Sequence, residues 1–281
     1  MSMQSGSRFR DLHRPGKPFV LANAWDAGSA RMLEALGAEA IGTSSAAHAF
    51  TLGRPDMGHV TRDEALAHAS DLVAAVKVPV SGDFENGFGD DPDTCAMTVK
   101  LAFEAGLAGI SIEDTALPSA TPYERALAVE RIRAACAAAR ALPGDFVLVA
   151  RADGVMNGQY DIDEALARLA GYEAAGADCV YVPLPGTLED QARICAATEL
   201  PVNALAAGPF TRHSWGQFAA AGVARISLGS ALARATHRLI VDAGSAMFEQ
   251  GDFSLLSKSI SGDVVDGLVS RQGDSALFSK K

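Results

Sequence analysis

Residues 79–85, PVSGDFE, carry an apolar run into two carboxylates one residue apart, Asp83 and Glu85. In extended backbone, residues i and i+2 project to the same side, so this spacing predicts that both acids face one space. At about 6 Å two like charges repel by roughly 3 kcal/mol at an effective dielectric near 20. Glu113, with Asp114 beside it, closes a similar run, GISIED at 109–114. Three carboxylates gathered in one place need protonation, a cationic side chain or a metal ion. Oxygen ligands suit a hard cation, and few direct protein contacts with several waters is the habit of Mg²⁺, so Mg²⁺ or Mn²⁺ is the expected cofactor. The competing reading has these acids capping helices or pairing with Arg151.

Arg151 lies in VARAD at 149–153 and shares a strand face with Val147 and Val149. It should therefore point inward, where a guanidinium can grip a substrate carboxylate through two parallel hydrogen bonds. As a purely structural group it would be a buried partner for Asp153 or Glu113. Other chemistries lack candidates. All six lysines lie away from the predicted strand ends, which leaves Schiff-base catalysis without a nucleophile. His48 and His59 are expected in a solvated loop, and His13, His68, His213 and His237 at terminal or helical surface positions. Asp90 and Asp91 precede Pro92 and read as a helix cap.

The elements that must position these groups are strands and helices in alternation. Strands are expected at 19–24, 40–45, 79–85, 109–114, 146–153, 179–184, 201–206 and 225–229, apolar enough to be covered on both faces. Thr61-Arg-Asp-Glu64 and Thr121-Pro-Tyr-Glu124 have capping-box spacing, and Asp91 and Asp161 supply further caps. Within 122–142, Tyr123, Leu127, Ile132, Cys136 and Ala139 make a helical stripe. Four helices end in a glycine phrase, EALGAEA, EAGLAG, AAGADC and AAGVAR, suited to a left-handed C-terminal residue. Eight such units predict an α/β fold, a (β/α)8 barrel, with a doubly wound sheet as the competitor. Residues 1–281 read as a single barrel domain whose segment 230–281 is a helical extension, packed on its own barrel or on a neighbouring subunit.

In such a barrel the strand C-termini form the open mouth, and polar residues collect at those ends here. They are Asn23, Trp25 and Asp26; Thr43, Ser44 and Ser45, with Arg54-Pro55-Asp56 beyond; Asp83 and Glu85; Glu113 and Asp114; Arg151 and Asp153; and Asn203.

Bulk properties narrow the partners. A chain of 281 residues, 48% hydrophobic, has ample material for a large core, and its net charge of −10 makes nucleic acid and anionic membranes poor partners. Four spaced cysteines without a C-x-x-C pair read as reduced, packed thiols. The N-terminal segment lacks the apolar core of a signal peptide and no 18-residue apolar stretch occurs, so a soluble, cytoplasmic protein is expected.

These residues resemble the isocitrate lyase/phosphoenolpyruvate mutase superfamily over most of 8–245. NAWDAGSARMLEALGAEAIGTSSAA is similar to that family's opening strand–helix–strand, LGRPDMG to its Pro-Asp loop, SGDFENGFG to its metal strand, SIED to its next acidic strand and VARAD to its arginine strand. The resemblance implies a (β/α)8 barrel with Mg²⁺ in the mouth, in a homotetramer whose subunits exchange a C-terminal helix. It also implies action on small 2-oxo- or 2-hydroxy-carboxylates. By the same resemblance Asp83 is the direct metal ligand, Glu85, Glu113 and Asp56 hold metal-bound water, and Arg151 clamps the substrate carboxylate. Ser44, Ser45 and Ala46 bind that carboxylate, and Trp25 and Asn203 are pocket walls. Arg151, Glu113 and Asp56 form the expected catalytic set.

The loop after the fourth strand departs from the family. Its lyases carry K-R-C-G-H there and its mutases a K-K-N-S-type loop, whereas this chain has TALPSATPYERA at 115–126. Only Tyr123, Glu124 and Arg125 could serve there, and a capped helix start makes them scaffold. Glu85 also stands where the best-known members have Asp. The expected activity is a Mg²⁺-dependent carbon–carbon lyase or decarboxylase. A phosphorus–carbon bond enzyme and a catalytically idle 2-oxo acid binder are the alternatives.

Overall fold

The computed structural model describes residues 4–270. Eight parallel strands close into a barrel: β1 (Phe19–Asn23), β2 (Ala40–Gly42), β3 (Val80–Asp83), β4 (Gly109–Glu113), β7 (Val147–Arg151), β8 (Cys179–Tyr181), β9 (Val202–Leu205) and β10 (Arg225–Ser227). Closure comes from β1 pairing with β10 through Phe19↔Arg225 and Leu21↔Ser227. Every barrel strand falls inside a segment that the sequence predicts. The short strands β5 (Thr115–Ala116) and β6 (Thr121–Pro122) form a separate antiparallel hairpin above β4.

Helices α2 (Ala27–Ala35), α3 (Ser45–Thr51), α4 (Arg62–Ala75), α5 (Pro92–Glu104), α6 (Arg125–Arg140), α7 (Ile162–Ala174), α8 (Leu188–Ala196) and α9 (Trp215–Ala220) intervene between the strands. Local chemistry sets their limits. Thr61 and Glu64 make a reciprocal capping box, and Asp91 and Asp161 accept from the N–H groups of Thr94 and Glu164. The four glycine phrases place Gly37, Gly106, Gly176 and Gly222 at φ between 89° and 103°. The next residue then donates back to the helix, as Ala38 N–H does to Leu33 O at 3.0 Å.

One predicted start differs. Thr121 does not cap α6, because Thr121 and Pro122 are spent on the ladder with Ala116 and Thr115, and Tyr123 N–H donates to Asp114 O at 2.8 Å. Helix α6 begins only at Arg125, and Glu124 makes no side-chain cap. A two-residue edge ladder tolerates the missing N–H of proline. The predicted stripe on α6 is otherwise buried, with Leu127 an exposed exception.

The main core lies between the strands and the helices, joining Ile41, Phe84, Ile110, Ile112, Leu148, Val180 and Tyr172. A smaller cluster seals the barrel floor, where α1 (Gln4–Leu12) sets the fully buried Phe9 against Phe19, with Leu21, Val147, Val149 and Tyr181. All four cysteines are free, three of them buried. Beyond the barrel, α10 (Ala231–Ser245) leads through short turns to α11 (Gly262–Ser270), which lies on α2 with Arg31 Nη1 donating to Val269 O at 3.5 Å. Residues 271–281 of the predicted extension lie outside the described residues. Among those described, no helix is long and apolar enough to cross a membrane.

Candidate active site

Strand alternation aims Ser81 and Asp83, Ser111 and Glu113, Val149 and Arg151, and Arg225 and Ser227 at the barrel axis. A cavity of about 400 Å³ opens above the apolar floor, and its wall includes Ser44, Ser45, Ala46, Asp56, Asp83 and Arg151. Leu21, Leu184, Leu205 and Met156 make it partly apolar.

Asp83 is its central acid. Its Oδ1 accepts from Arg151 Nη1 at 2.7 Å, and its Oδ2 accepts from Ser45 N–H at 3.0 Å and Ser45 Oγ at 2.8 Å. Ser44 caps α3 by accepting from Ala47 N–H, and this holds Ser45 at the helix start where its own N–H has no helical partner. Behind the cavity wall, Arg151 donates to both oxygens of Asp153, at 3.1 and 2.6 Å, and pairs with Glu113 at 3.1 Å. Arg151 thus reaches the mouth, as its strand face predicts, and is also the buried partner of Asp153 and Glu113.

Glu85 and Asp83 line one small pocket together with Ser45 and His48, but strand alternation is not what brings them there. Strand β3 ends at Asp83, and Glu85 lies in a turn with φ 45°, so two-residue alternation no longer applies. Its carboxylate accepts from Gly58 N–H at 3.0 Å and its carbonyl from Glu113 N–H at 2.8 Å. Glu85 thereby ties the Asp56–Gly58 loop to β4. The turn is held from behind by Arg131, fully buried, which donates to the carbonyls of Asn86, Gly89, Asp90 and Glu113 and stacks on Tyr123. Asp90 caps nothing and instead accepts from Tyr123 OH at 2.6 Å. Asp114 faces away from the mouth, receiving Tyr160 OH, Tyr172 OH, Arg168 and the N–H of Asp153.

Charge is unbalanced around Arg151. Burial pushes Glu113 well above the usual carboxylate range, with Asp153, Asp83 and Glu85 adding repulsion that Arg151 only partly offsets. Burial likewise raises Asp153, raises Asp56 and lifts Glu85 to about 7. Arg151 thus pairs directly with Asp83, Glu113 and Asp153, while Asp56 and Glu85 feel its charge without an ion pair to it.

Several expected residues stand elsewhere. Trp25 lines a second cavity, between α2, α3 and α4, with Arg31, His48 and His68. Asn203 is fully buried beneath the cavity, accepting from Arg225 Nε at 2.8 Å and donating to Ser227 Oγ at 2.9 Å. It sits too low on β9 to form wall, a place taken by Leu205 two residues on. His48 is not in a solvated loop: it is buried in α3 and stacked on His68 at 3.8 Å, while His59 is exposed. None of residues 115–126 lines the cavity. Tyr123 is buried and Arg125 pairs with Glu164, which fits the scaffold reading of that loop.

Other wall residues were not singled out as site residues, namely Tyr181, Arg225, Ser227, Ser230 and Arg234. The signal for Arg225 was a charged residue opening the otherwise apolar run RISLG, two positions from a serine.

Comparison with known proteins identifies the family. The family model for phosphoenolpyruvate phosphomutase matches residues 9–248. An uncharacterised protein of Mycobacterium tuberculosis is 38% identical over 223 residues, covering 79% of this chain and 81% of its own. The 2,3-dimethylmalate lyase of Eubacterium barkeri is 34% identical over 200 residues, 68% of each chain. Among solved structures, a lyase/mutase candidate from Burkholderia cenocepacia J2315 superposes with a TM-score of 0.92 at 42% identity, covering 97% of this chain and 98% of that one. A barrel of this topology, its acids and arginine at the strand ends and a family match across most of its length make this chain an enzyme of the phosphoenolpyruvate phosphomutase family, within the isocitrate lyase/PEP mutase superfamily.

Proposed function

We propose that the chain is a divalent-metal-dependent lyase that breaks a carbon–carbon bond, or decarboxylates, next to the carbonyl or hydroxyl carbon of a small 2-oxo- or 2-hydroxy-carboxylate. The observation that carries this is Asp83 held between Arg151 and the start of α3 at the cavity wall.

The donor chemistry fits a hard cation. Burial holds Asp56, Glu85, Glu113 and Asp153 above the ordinary carboxylate range until positive charge arrives. Asp83 and Asp56 line the cavity and would hold the ion, with Glu85 and Glu113 behind them. Among the described residues no three acid, histidine or cysteine side chains gather as a ready cage. Few protein ligands completed by water is the habit of Mg²⁺ or Mn²⁺ rather than of a structural zinc site. When bound, such an ion supplies Lewis-acid stabilisation of negative charge on a carbonyl oxygen.

The chain's own residues do the rest. Arg151 Nη1 and the N–H and hydroxyl of Ser45 are the donors that a substrate carboxylate would take over from Asp83. Asp153 and Glu113 keep the guanidinium oriented during that exchange, so that it binds without transferring a proton. Leu184, Leu205 and Met156 exclude water around the breaking bond.

Phosphorus–carbon chemistry is the second reading, favoured by the start of α10, where Ser230 and Arg234 line the cavity. Against it, the N–H groups of Leu228 and Gly229 already donate to Asn23 Oδ1, at 2.7 and 3.0 Å, and are not free for a phosphoryl group.

Purified protein given oxaloacetate, methylisocitrate, dimethylmalate or phosphonopyruvate, with Mg²⁺ or EDTA, separates the readings. Metal-dependent pyruvate release without phosphate from a carbon substrate supports the lyase. Phosphate release supports the second reading, and metal-dependent binding without turnover would mean an idle binder.

A further inference from the structure

Arg225 is 97% buried, being 3% exposed, at the start of β10, and it contributes to the wall of the catalytic cavity. Its Nε donates to Asn203 Oδ1, whose amide in turn donates to Ser227, so the guanidinium is fixed in orientation. Its Nη1 is buried with no hydrogen-bond partner, and Arg225 forms no ion pair among the described residues. Arg131 and Arg168, the other deeply buried arginines, spend their donors on carbonyls and on Asp114 and Glu164. Arg151 is surrounded by acids. Arg131 also lacks an anion but satisfies its guanidinium on four carbonyls, so among these four only Arg225 has neither an ion-pair partner nor an acceptor for Nη1, and an uncompensated buried charge is strongly unfavourable unless something neutralises it. The surroundings also suit a polar occupant, because Ser81, Ser111 and Ser227 line the same cavity, in a barrel interior that aliphatic side chains usually fill.

We propose that Arg225 is a second anion-binding group of this cavity, receiving a second carboxylate of the substrate while Arg151 and Ser45 hold the first. The preferred ligand is then a dicarboxylate, and Arg225 is the residue that selects it over a monocarboxylate of the same length. This rests on the reading of the cavity as a carboxylate site. Burial, reinforced by the nearby Arg151 charge, pulls the pKa of Arg225 below the ordinary arginine value, as expected for a cation awaiting its partner.

Calorimetric titration of the full-length protein with Mg²⁺ tests this, using malate and 2-hydroxybutyrate, which differ by one carboxylate. Wild type should bind malate at least about tenfold more tightly, since a site built for a polar group discriminates against an analogue lacking it. Arg225→Met and Arg225→Gln should bring the two affinities to within about threefold by weakening malate alone, and Arg225→Lys should restore part of the gap. A thermal melt of each variant without ligand establishes that it is folded, since Arg225→Met also removes the donor to the buried Asn203 Oδ1. Equal binding of both acids by wild type, or a malate preference that survives in folded Arg225→Met and Arg225→Gln, overturns the proposal. The outcomes for the parent reading differ: wild type that prefers malate through Arg225 yet releases no pyruvate from any dicarboxylate sinks the lyase and leaves this assignment standing.

Discussion

Arg151 Nη1 and Asp83 Oδ1 meet at 2.7 Å, which makes the proposed substrate clamp and the proposed metal ligand partners of each other. Either role requires the other group to give up this bond. Arg151→Lys keeps the charge but loses the planar fork, so substrate affinity should fall at least about tenfold with little change in Mg²⁺ affinity. Asp83→Asn should abolish Mg²⁺-dependent turnover, a loss of at least about a hundredfold, while the fold survives. Steady-state kinetics with metal titration checks both, and wild-type behaviour of the pair would mean that the site lies elsewhere.

Removing the guanidinium altogether has a different signature. Arg151→Met leaves Glu113 and Asp153 buried without their cation, and should cost about 3–5 kcal/mol of stability. Urea unfolding in EDTA measures this, and a cost below about 1 kcal/mol would show that those acids fold protonated.

Glu85 carries a pH dependence of known sign. Its pKa in the folded chain is about 7 against an unfolded value of 4.5, so the folded state holds the extra proton between them. Stability from this group is full at low pH and lost as pH rises through 7. Glu85→Gln keeps an acceptor for Gly58 N–H without that ionisation. In EDTA the variant should match wild type near pH 4 and exceed it by up to about 3 kcal/mol at pH 8. An unchanged difference across the range would contradict the shift.

His48 acts in the opposite direction. Burial and the His68 charge hold its pKa near 4, so it is neutral when folded, while the unfolded chain takes up a proton below 6.5. Stability should drop as pH falls from 6.5 towards 4, by up to about 1.4 kcal/mol per unit from this group, with His13, held near 3, adding to it. His48→Phe keeps a ring against His68 and should flatten that slope while changing little at pH 8. Denaturant melts at several pH values decide it.

We propose that the exposed apolar side chains of the C-terminal extension form a subunit contact. Ile240 is 67% and Phe248 88% exposed, with Leu239, Val241 and Phe253 nearby. Light scattering should give a mass that is a multiple of 29.1 kDa, and Ile240→Lys with Phe248→Asp should shift it towards one chain. A wild-type monomer would refute the contact.

Much of the architecture was legible in the chain. Apolar runs, the Thr61, Asp91 and Asp161 caps and the four terminal glycines are local signals, and each acts within one turn of backbone. The Asp83, Glu113 and Arg151 triad was legible too, because all three end their strands and barrel closure brings adjacent strand ends together. What the sequence could not determine depended on neighbours distant along the chain. Thr121 has the spacing of a cap, but pairing with Ala116 competes for the same backbone. Glu85 has strand spacing from Asp83, yet the carbonyls held by Arg131 and the loop at Gly58 turn the chain first. Asn203 looks like wall, and its height on β9 is set by register with Arg225. Residue types and order specified which strand ends carry charge; only tertiary packing decided which charges find partners, because burial and pairing are properties of the space between elements rather than of any one of them.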